Sequence, residues 1–221
     1  MSGGGPPPVP PLVLASASSR RAALLDMLGL DHTVDPAAIP EEAPAGGEHP
    51  TGYSERLARR KAAAVAARHP DALVLAADTV VVRDGRVLGK PASAADAVET
   101  LLSLAGRVHS VVTGLALARP GTSAILSRVD VAEVRFRSFD RIAAEAYVAT
   151  GEPMDKAGAY GIQGLGSALV SRVEGDYYTV VGLSVHGLLR LLEEAGFRYA
   201  FPGLGAVEGS RARPRPPTDG P

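Results

Sequence analysis

Leu73-Val74-Leu75-Ala76-Ala77-Asp78-Thr79-Val80-Val81-Val82-Arg83-Asp84-Gly85-Arg86-Val87-Leu88-Gly89-Lys90-Pro91 is the stretch from which the rest of the chain is read. Leu73 to Ala76 and Thr79 to Val82 are strand-like runs. Asp84-Gly85 is a hairpin turn leading into Val87-Leu88. Asp78 directly follows the first run, which places a carboxylate at the carboxyl end of a buried strand, the edge where α/β sheets bind ligands. An aspartate there can hold a metal ion or activate water, or it can be a turn residue between two strands. Just beyond the hairpin, Lys90 stands in a short loop closed by Pro91.

Working outward, strand and helix patterns alternate. Upstream, Leu12 to Ala15 is a short apolar run, Ser19 to Leu28 a helix stopped by Gly29, and Thr51 to His69 a helix of good formers ended by Pro70. Downstream, Ser93 and Asp96 form a capping-box-like start to a helix that ends at Gly106. Val108–Ala118 and Ala124–Phe136 read as strands, and Ser138 to Thr150 as a helix closed by Gly151. Ala168–Val173 and Tyr177–Val181 are strand-like, and Leu183–Ala195 is the last helix. Hairpins and crossovers both occur, so the expected class is α/β with a mixed sheet. Residues 1–11 and 203–221 are Gly/Pro-rich with little to bury, and are expected to be disordered tails around one domain over 12–202. Arg211, Arg213 and Arg215 make the second tail basic; solvation or contact with nucleic acid are both open to it.

Candidate chemistry gathers in a few places. Ser16-Ala17-Ser18-Ser19-Arg20-Arg21 lies where a strand feeds a helix, so free backbone N–H groups, the helix dipole, hydroxyls and guanidiniums favour an anion such as phosphate. A serine-capped helix with two exposed arginines is the plainer reading. Lys61 shares a helical column with Leu57, Ala64 and Val65, so it must snorkel, pair, or line a cavity. Asp155-Lys156-Ala157-Gly158-Ala159-Tyr160-Gly161-Ile162-Gln163-Gly164 is a glycine-rich stretch where backbone can approach a ligand, and the Gln163 amide can read a base edge. Glu41 and Glu42 lie in a Pro/Ala-rich loop; with Asp78, one of them could complete a hard-cation site.

Composition narrows the classes. The net charge of −1 gives no global field toward nucleic acid or an anionic membrane, so phosphate binding needs a local basic cluster. With no cysteine, disulfides, thiolate metal sites and cysteine nucleophiles are excluded. The five histidines show no metal-ligand spacing, and there is no Walker A loop, nucleophile-elbow serine or Rossmann fingerprint. No apolar run approaches the roughly 20 residues of a membrane span, and MSGGGPPPVPP has no signal-peptide pattern. A soluble, cytoplasmic protein is expected.

LASASSRRAALLDMLGL, RLARRKAAAVA, AADTVVVRDGRVLGKP, GRVHSVVTGLAL and EPMDKAGAYGIQGLGSALVSRVEGDYYTVVGL together resemble the Maf family over residues 12–196. The resemblance implies a two-lobed mixed-sheet fold with a deep central cleft, similar to inosine triphosphate pyrophosphatases. It also implies cleavage of a nucleoside triphosphate to monophosphate and pyrophosphate with a divalent metal cation, Mg2+ or Mn2+, in a homodimer. Ser16, Arg20, Arg21, Lys61 and Lys90 would embrace the triphosphate. Asp78 would be the catalytic base and Glu42 its partner for metal or water, with Arg20, Thr79 and Gln163 at positions tied to base choice. DKAGAYGIQG looks like the branch preferring dTTP and UTP rather than 7-methyl-GTP. Two features depart from the family pattern: Ser19 replaces a proline, and residues 36–52 fit loosely, leaving Glu41 or Glu42 as the functional glutamate. The rival readings are a non-catalytic regulator of cell division that binds nucleotide or nucleic acid, and a phosphomonoesterase.

Overall fold

The computed structural model describes residues 9–40 and 42–206. In chain order the elements are β1 (Leu12–Leu14), α1 (Ser19–Met27), β2 (His32–Val34), α2 (Pro50–Ala66), β3 (Leu73–Arg83), β4 (Arg86–Leu88), α3 (Ala94–Leu104) and β5 (Val108–Ala118). There follow β6 (Ile125–Phe136), α4 (Arg141–Val148), β7 (Val170–Glu174), α5 (Tyr177–Val181), α6 (Val185–Glu194), β8 (Phe197–Tyr199) and β9 (Leu204–Ala206). Seven strands form one mixed sheet in the order β2-β1-β3-β5-β6-β7, with β4 beside β3. The β1 pairings with β2 and β3 are parallel and the others in this sheet antiparallel, as the mixture of hairpins and crossovers requires.

β3 is the axis of the molecule. Its side chains alternate between the two sheet faces, as strand geometry demands. Leu73, Leu75, Ala77 and Val81 enter the large core, which α1, α3, α4 and α6 cover with Leu25, Leu101, Ala144 and Leu188. Val74 and Ala76 pack instead with Ala58, Ala62 and Val65 of α2, while Val80 joins Tyr53 and Leu57 in a second small cluster. Apolar packing under α2 is therefore divided in two, and Asp78 lies at the division.

Several expectations need correcting. Leu73–Val82 is a single strand, not two, because β5 pairs with it without a break from Val74 to Val82. Asp78 therefore lies within β3 rather than at its carboxyl end. It does lie just past the carboxyl end of β1, which reaches only Leu75 of β3, while β4 runs antiparallel from opposite Arg83 and ends at Leu88 opposite Val81. Residues 76–80 of β3 thus border an opening between β1 and β4.

Tyr177–Val181 is helical, not extended: Asp176 Oδ1 accepts from the Tyr178 N–H at 3.0 Å, and Gly182 ends the turn in the left-handed region at φ 116°. Gly203–Ala206, assigned to the tail, is ordered through the β8–β9 hairpin. The hairpin is tied to the end of α1 by the Tyr199 hydroxyl, which donates to the Leu28 carbonyl at 2.8 Å. β2 was not anticipated. The remaining tail residues, Arg211, Arg213 and Arg215 among them, lie outside the described residues. No helix among the described residues is long and apolar enough to cross a membrane.

Candidate active site

The opening beside residues 76–80 leads into a cleft of about 490 Å3, within the range of small-molecule sites. β1 delivers Ser16 to it and α1 delivers Arg20 and Arg21, because the chain leaves β1 at its carboxyl end and turns at once into a helix. The β3–β4 hairpin carries Lys90 to the opposite rim. Arg20, Arg21, Lys61, Lys90 and Lys156 line the cleft against two carboxylates, Asp78 and Asp155, a local excess of three positive charges. This is how a chain of net charge −1 creates a positive basin.

Lys61 and Asp78 form its floor. Lys61 follows Leu57 by one helical turn and precedes Val65 by another, and both neighbours are buried. The column therefore points at β3, where Asp78 occupies the α2-facing side between Ala76 and Val80. Lys61 Nζ reaches Asp78 Oδ1 at 2.6 Å, and Asp78 is only 6% exposed. Close approach of α2 is secured at Gly114, opposite Asp78 in the β3–β5 register. A Cβ there would stand 2.5 Å from the Ser54 carbonyl oxygen, so any larger residue would lift the helix and separate the pair.

Thr79 faces the other way, toward α1 and α5. Its hydroxyl lies 2.9 Å from the Thr113 hydroxyl, which donates to the Thr179 carbonyl at 2.8 Å. Arg21 closes this network. It donates to Gly182 O at 2.8 Å, Ser16 Oγ at 2.8 Å and Thr79 Oγ1 at 3.2 Å. The guanidinium thus fixes the cleft wall as well as adding charge to it, a role the sequence did not disclose.

Glu42 is not brought to the cleft. Its carboxylate pairs with Arg60 at 2.8 Å and Arg56 at 3.4 Å on the outer side of α2 and is 59% exposed. Two guanidiniums hold it on that side of the helix. Glu41 lies outside the described residues. Among the described residues no three His, Asp or Glu side chains cluster as a ready-made metal cage.

The far wall is the glycine-rich loop. Ile162 is buried in the large core while Gln163 lines the cleft. Lys156, which the sequence does not mark as a site residue, also lines it, and its ammonium donates to Asp155 Oδ1 and to the Glu152 carbonyl, each at 2.6 Å. The hydrogen bond from Lys156 holds the Asp155 carboxyl below the usual carboxylate range, against partial burial, and Arg20 adds to the effect. Beneath the loop, Tyr160 lies 2.8 Å from His109 Nε2, within a T-shaped aromatic group completed by Phe136. Burial keeps His109 neutral, with its pKa lowered to about 4, and pushes the Tyr160 phenol up.

A family model described as "Maf-like protein" matches residues 11–195. The chain is 47% identical to the dTTP/UTP pyrophosphatase of Symbiobacterium thermophilum, an alignment that covers 82% of this chain and 92% of that one. It is 51% identical to the protein of the same name from Moorella thermoacetica, over 76% of this chain and 87% of that one. A solved nucleoside-triphosphatase, a dITP/XTP pyrophosphatase from Mycobacterium abscessus, superposes with a TM-score of 0.43 at 15% identity, covering 83% of this chain and 93% of its own. At that score the likeness decides nothing about the fold, which rests on the strand order itself. On the family model and the two sequence relatives, the chain belongs to the Maf family.

Proposed function

We propose that the chain hydrolyses nucleoside triphosphates, dTTP and UTP foremost, to the monophosphate and pyrophosphate. The observation that carries this reading is the Lys61–Asp78 pair at the floor of a basic cleft. A protein that only held a polyphosphate would gain nothing from a buried carboxylate beside it, whereas hydrolysis requires a group to orient water and take its proton. The names of the sequence relatives support the same substrates.

Phosphoanhydride hydrolysis needs charge neutralised on the phosphates and a water placed in line. The N–H groups at the start of α1, the Ser16 hydroxyl, Arg20 and Lys90 bind the phosphate oxygens. Lys61 is held by Asp78 until phosphate arrives. Its ammonium then bridges carboxylate and phosphate, and Asp78 accepts a proton from the attacking water. The water oxygen bonds to the α-phosphorus as the bond to the bridging oxygen breaks, and pyrophosphate leaves with that electron pair.

Asp78 is a hard oxygen donor, and magnesium is commonly held by one or two carboxylates together with substrate phosphates. Asp78 with the phosphate oxygens therefore fits a divalent cation, which when bound supplies further charge neutralisation. Glu42 has no part in this reading. Gln163 faces the base, and the protein acts in the cytoplasm as a homodimer, without membrane or nucleic acid.

The test is product analysis with dTTP, UTP, CTP, GTP and 7-methyl-GTP, with magnesium or manganese and with chelator. Monophosphate plus pyrophosphate from dTTP or UTP, lost with chelator, is expected. Release of inorganic phosphate instead would convert the reading to a phosphatase, such as a phosphomonoesterase of broad range, that removes the terminal phosphate. Nucleotide bound but never turned over would leave a regulator.

A further inference from the structure

The glycine-rich loop is closed on itself by two side chains from outside it. Glu152 Oε2 accepts from the Leu165 N–H at 2.8 Å, and Oε1 accepts from the Gly166 N–H at 3.0 Å and from the Tyr147 hydroxyl at 2.8 Å. The same Tyr147 oxygen accepts from the Gly161 N–H at 3.1 Å. Both ends of residues 161–166 are therefore fastened to one carboxylate–phenol pair, and Gln163 lies between the fastenings.

The glycines record this arrangement. A Cβ on Gly166 would stand 2.6 Å from the Tyr147 oxygen and 2.6 Å from the Gly161 carbonyl oxygen. A Cβ on Gly164 would meet the Glu152 carboxylate carbon at 2.7 Å. These glycines make room for the two side chains, not for a ligand. The backbone and hydroxyl donors and Lys156 keep the Glu152 carboxyl below its usual pKa, although burial acts against them, so it is ionised and at full strength as an acceptor.

We propose that Glu152 and Tyr147 are positioning residues for base selection, acting through Gln163; this rests on the nucleotide-hydrolysis reading above. Thymine and uracil offer a ring N–H donor beside a carbonyl acceptor, and cytosine offers a ring nitrogen acceptor beside an amino donor. A carboxamide can pair with either simply by turning over, since the turn exchanges its oxygen and NH2. Gln163 can therefore separate these bases only if its loop presents the amide in one orientation at one depth. The Glu152–Tyr147 clamp supplies that constraint.

The experiment compares kcat/KM for dTTP and dCTP in the parent enzyme, Glu152→Gln, Tyr147→Phe, Gln163→Ala and the two double variants. In Glu152→Gln one oxygen becomes an NH2 facing a backbone N–H, and in Tyr147→Phe the Gly161 N–H loses its acceptor. The dTTP:dCTP ratio is expected to fall about tenfold in either variant. Adding Gln163→Ala should then lower it little further, because both changes act through one contact. General loss of folded protein would lower both substrates equally and leave the ratio intact. Tyr147→Phe keeps the test alive if Glu152→Gln does not fold. An unchanged ratio in the variants, or effects additive with Gln163→Ala, would overturn the clamp while leaving the hydrolytic reading in place. A parent that releases pyrophosphate from neither nucleotide would overturn both.

Discussion

Two walls of the cleft, the one that carries the Lys61–Asp78 floor and the glycine-rich loop facing it, are built on different principles. On one, Lys61 and Asp78 meet because a helix period and a strand period each aim a side chain at the same point, and the backbone below them is satisfied by regular pairing. On the other, residues 161–166 belong to no regular ladder, and side chains some 13 or 14 residues away along the chain satisfy their N–H groups. Buried N–H groups must find acceptors whatever the local structure. One wall is thus suited to chemistry that tolerates no displacement, and the other to recognition that can be retuned by altering a clamp.

The largest effect should follow from cutting the first wall at its base. Asp78→Asn retains the Lys61 contact through the amide oxygen but cannot take a proton, so kcat should fall about a thousandfold. Pyrophosphate release measures this, and a parent-like melting curve would show that the fold survives. Unchanged turnover would remove Asp78 from the mechanism.

Lys61→Gln is next. A loss of about a hundredfold in kcat, with a raised KM, is expected if the ammonium interacts more strongly as charge develops. A raised KM alone would make Lys61 a ground-state binder and the two walls more alike than they look.

The second wall should answer in stability. Tyr147→Phe leaves the Gly161 N–H without its acceptor, a cost of about 1–2 kcal/mol, readable as a lowered urea midpoint. Glu152 gives that loss a pH signature. Its folded pKa is depressed, so its stabilisation is present above the ordinary carboxylate range and lost as pH falls through the folded value. The difference between parent and Glu152→Gln should shrink accordingly in acid.

A stability effect confined to one pH window concerns His109, under the same wall. The folded protein resists protonating it until about pH 4, against an ordinary 6.5, so between those values the unfolded chain binds the extra proton. Stability should therefore rise with pH through that window and be flat in this respect below it. His109→Phe should remove that part of the slope in urea titrations.

Legibility in the sequence follows the same divide. Lys61 could be found from its column because helical spacing puts it between Leu57 and Val65, and the structure sends that column to the cleft. The sequence singles out Asp78 by a strand end that the structure relocates: β3 continues through it, and the neighbouring β1 is the strand that ends there. The placement of Glu42 on the outer side of α2 is not legible, since nothing in the loop pattern records that Arg56 and Arg60 would pair with it. Tyr177–Val181 looked extended because its aromatic and β-branched residues favour strands, and five residues are too few for a helical period to contradict them. The glycines at 161, 164 and 166 were visible, but their partners were not: a carboxylate on a distant turn leaves no local pattern.

The alternation of helix and strand, the mixed sheet, the cationic cluster after β1 and the lysine in an apolar column are all legible in the amino acids alone. All of these are written in short-range periodicity and turn chemistry, which each segment carries alone. That β1 and β4 share one edge of β3 and leave an opening between them follows only from the assembled sheet. Three-dimensional packing alone makes Arg21 brace the wall through Thr79 and Gly182, and Glu152 close the loop carrying Gln163. Such contacts join residues far apart in the chain, and they form because buried donors and charges must find partners once the core has brought them together.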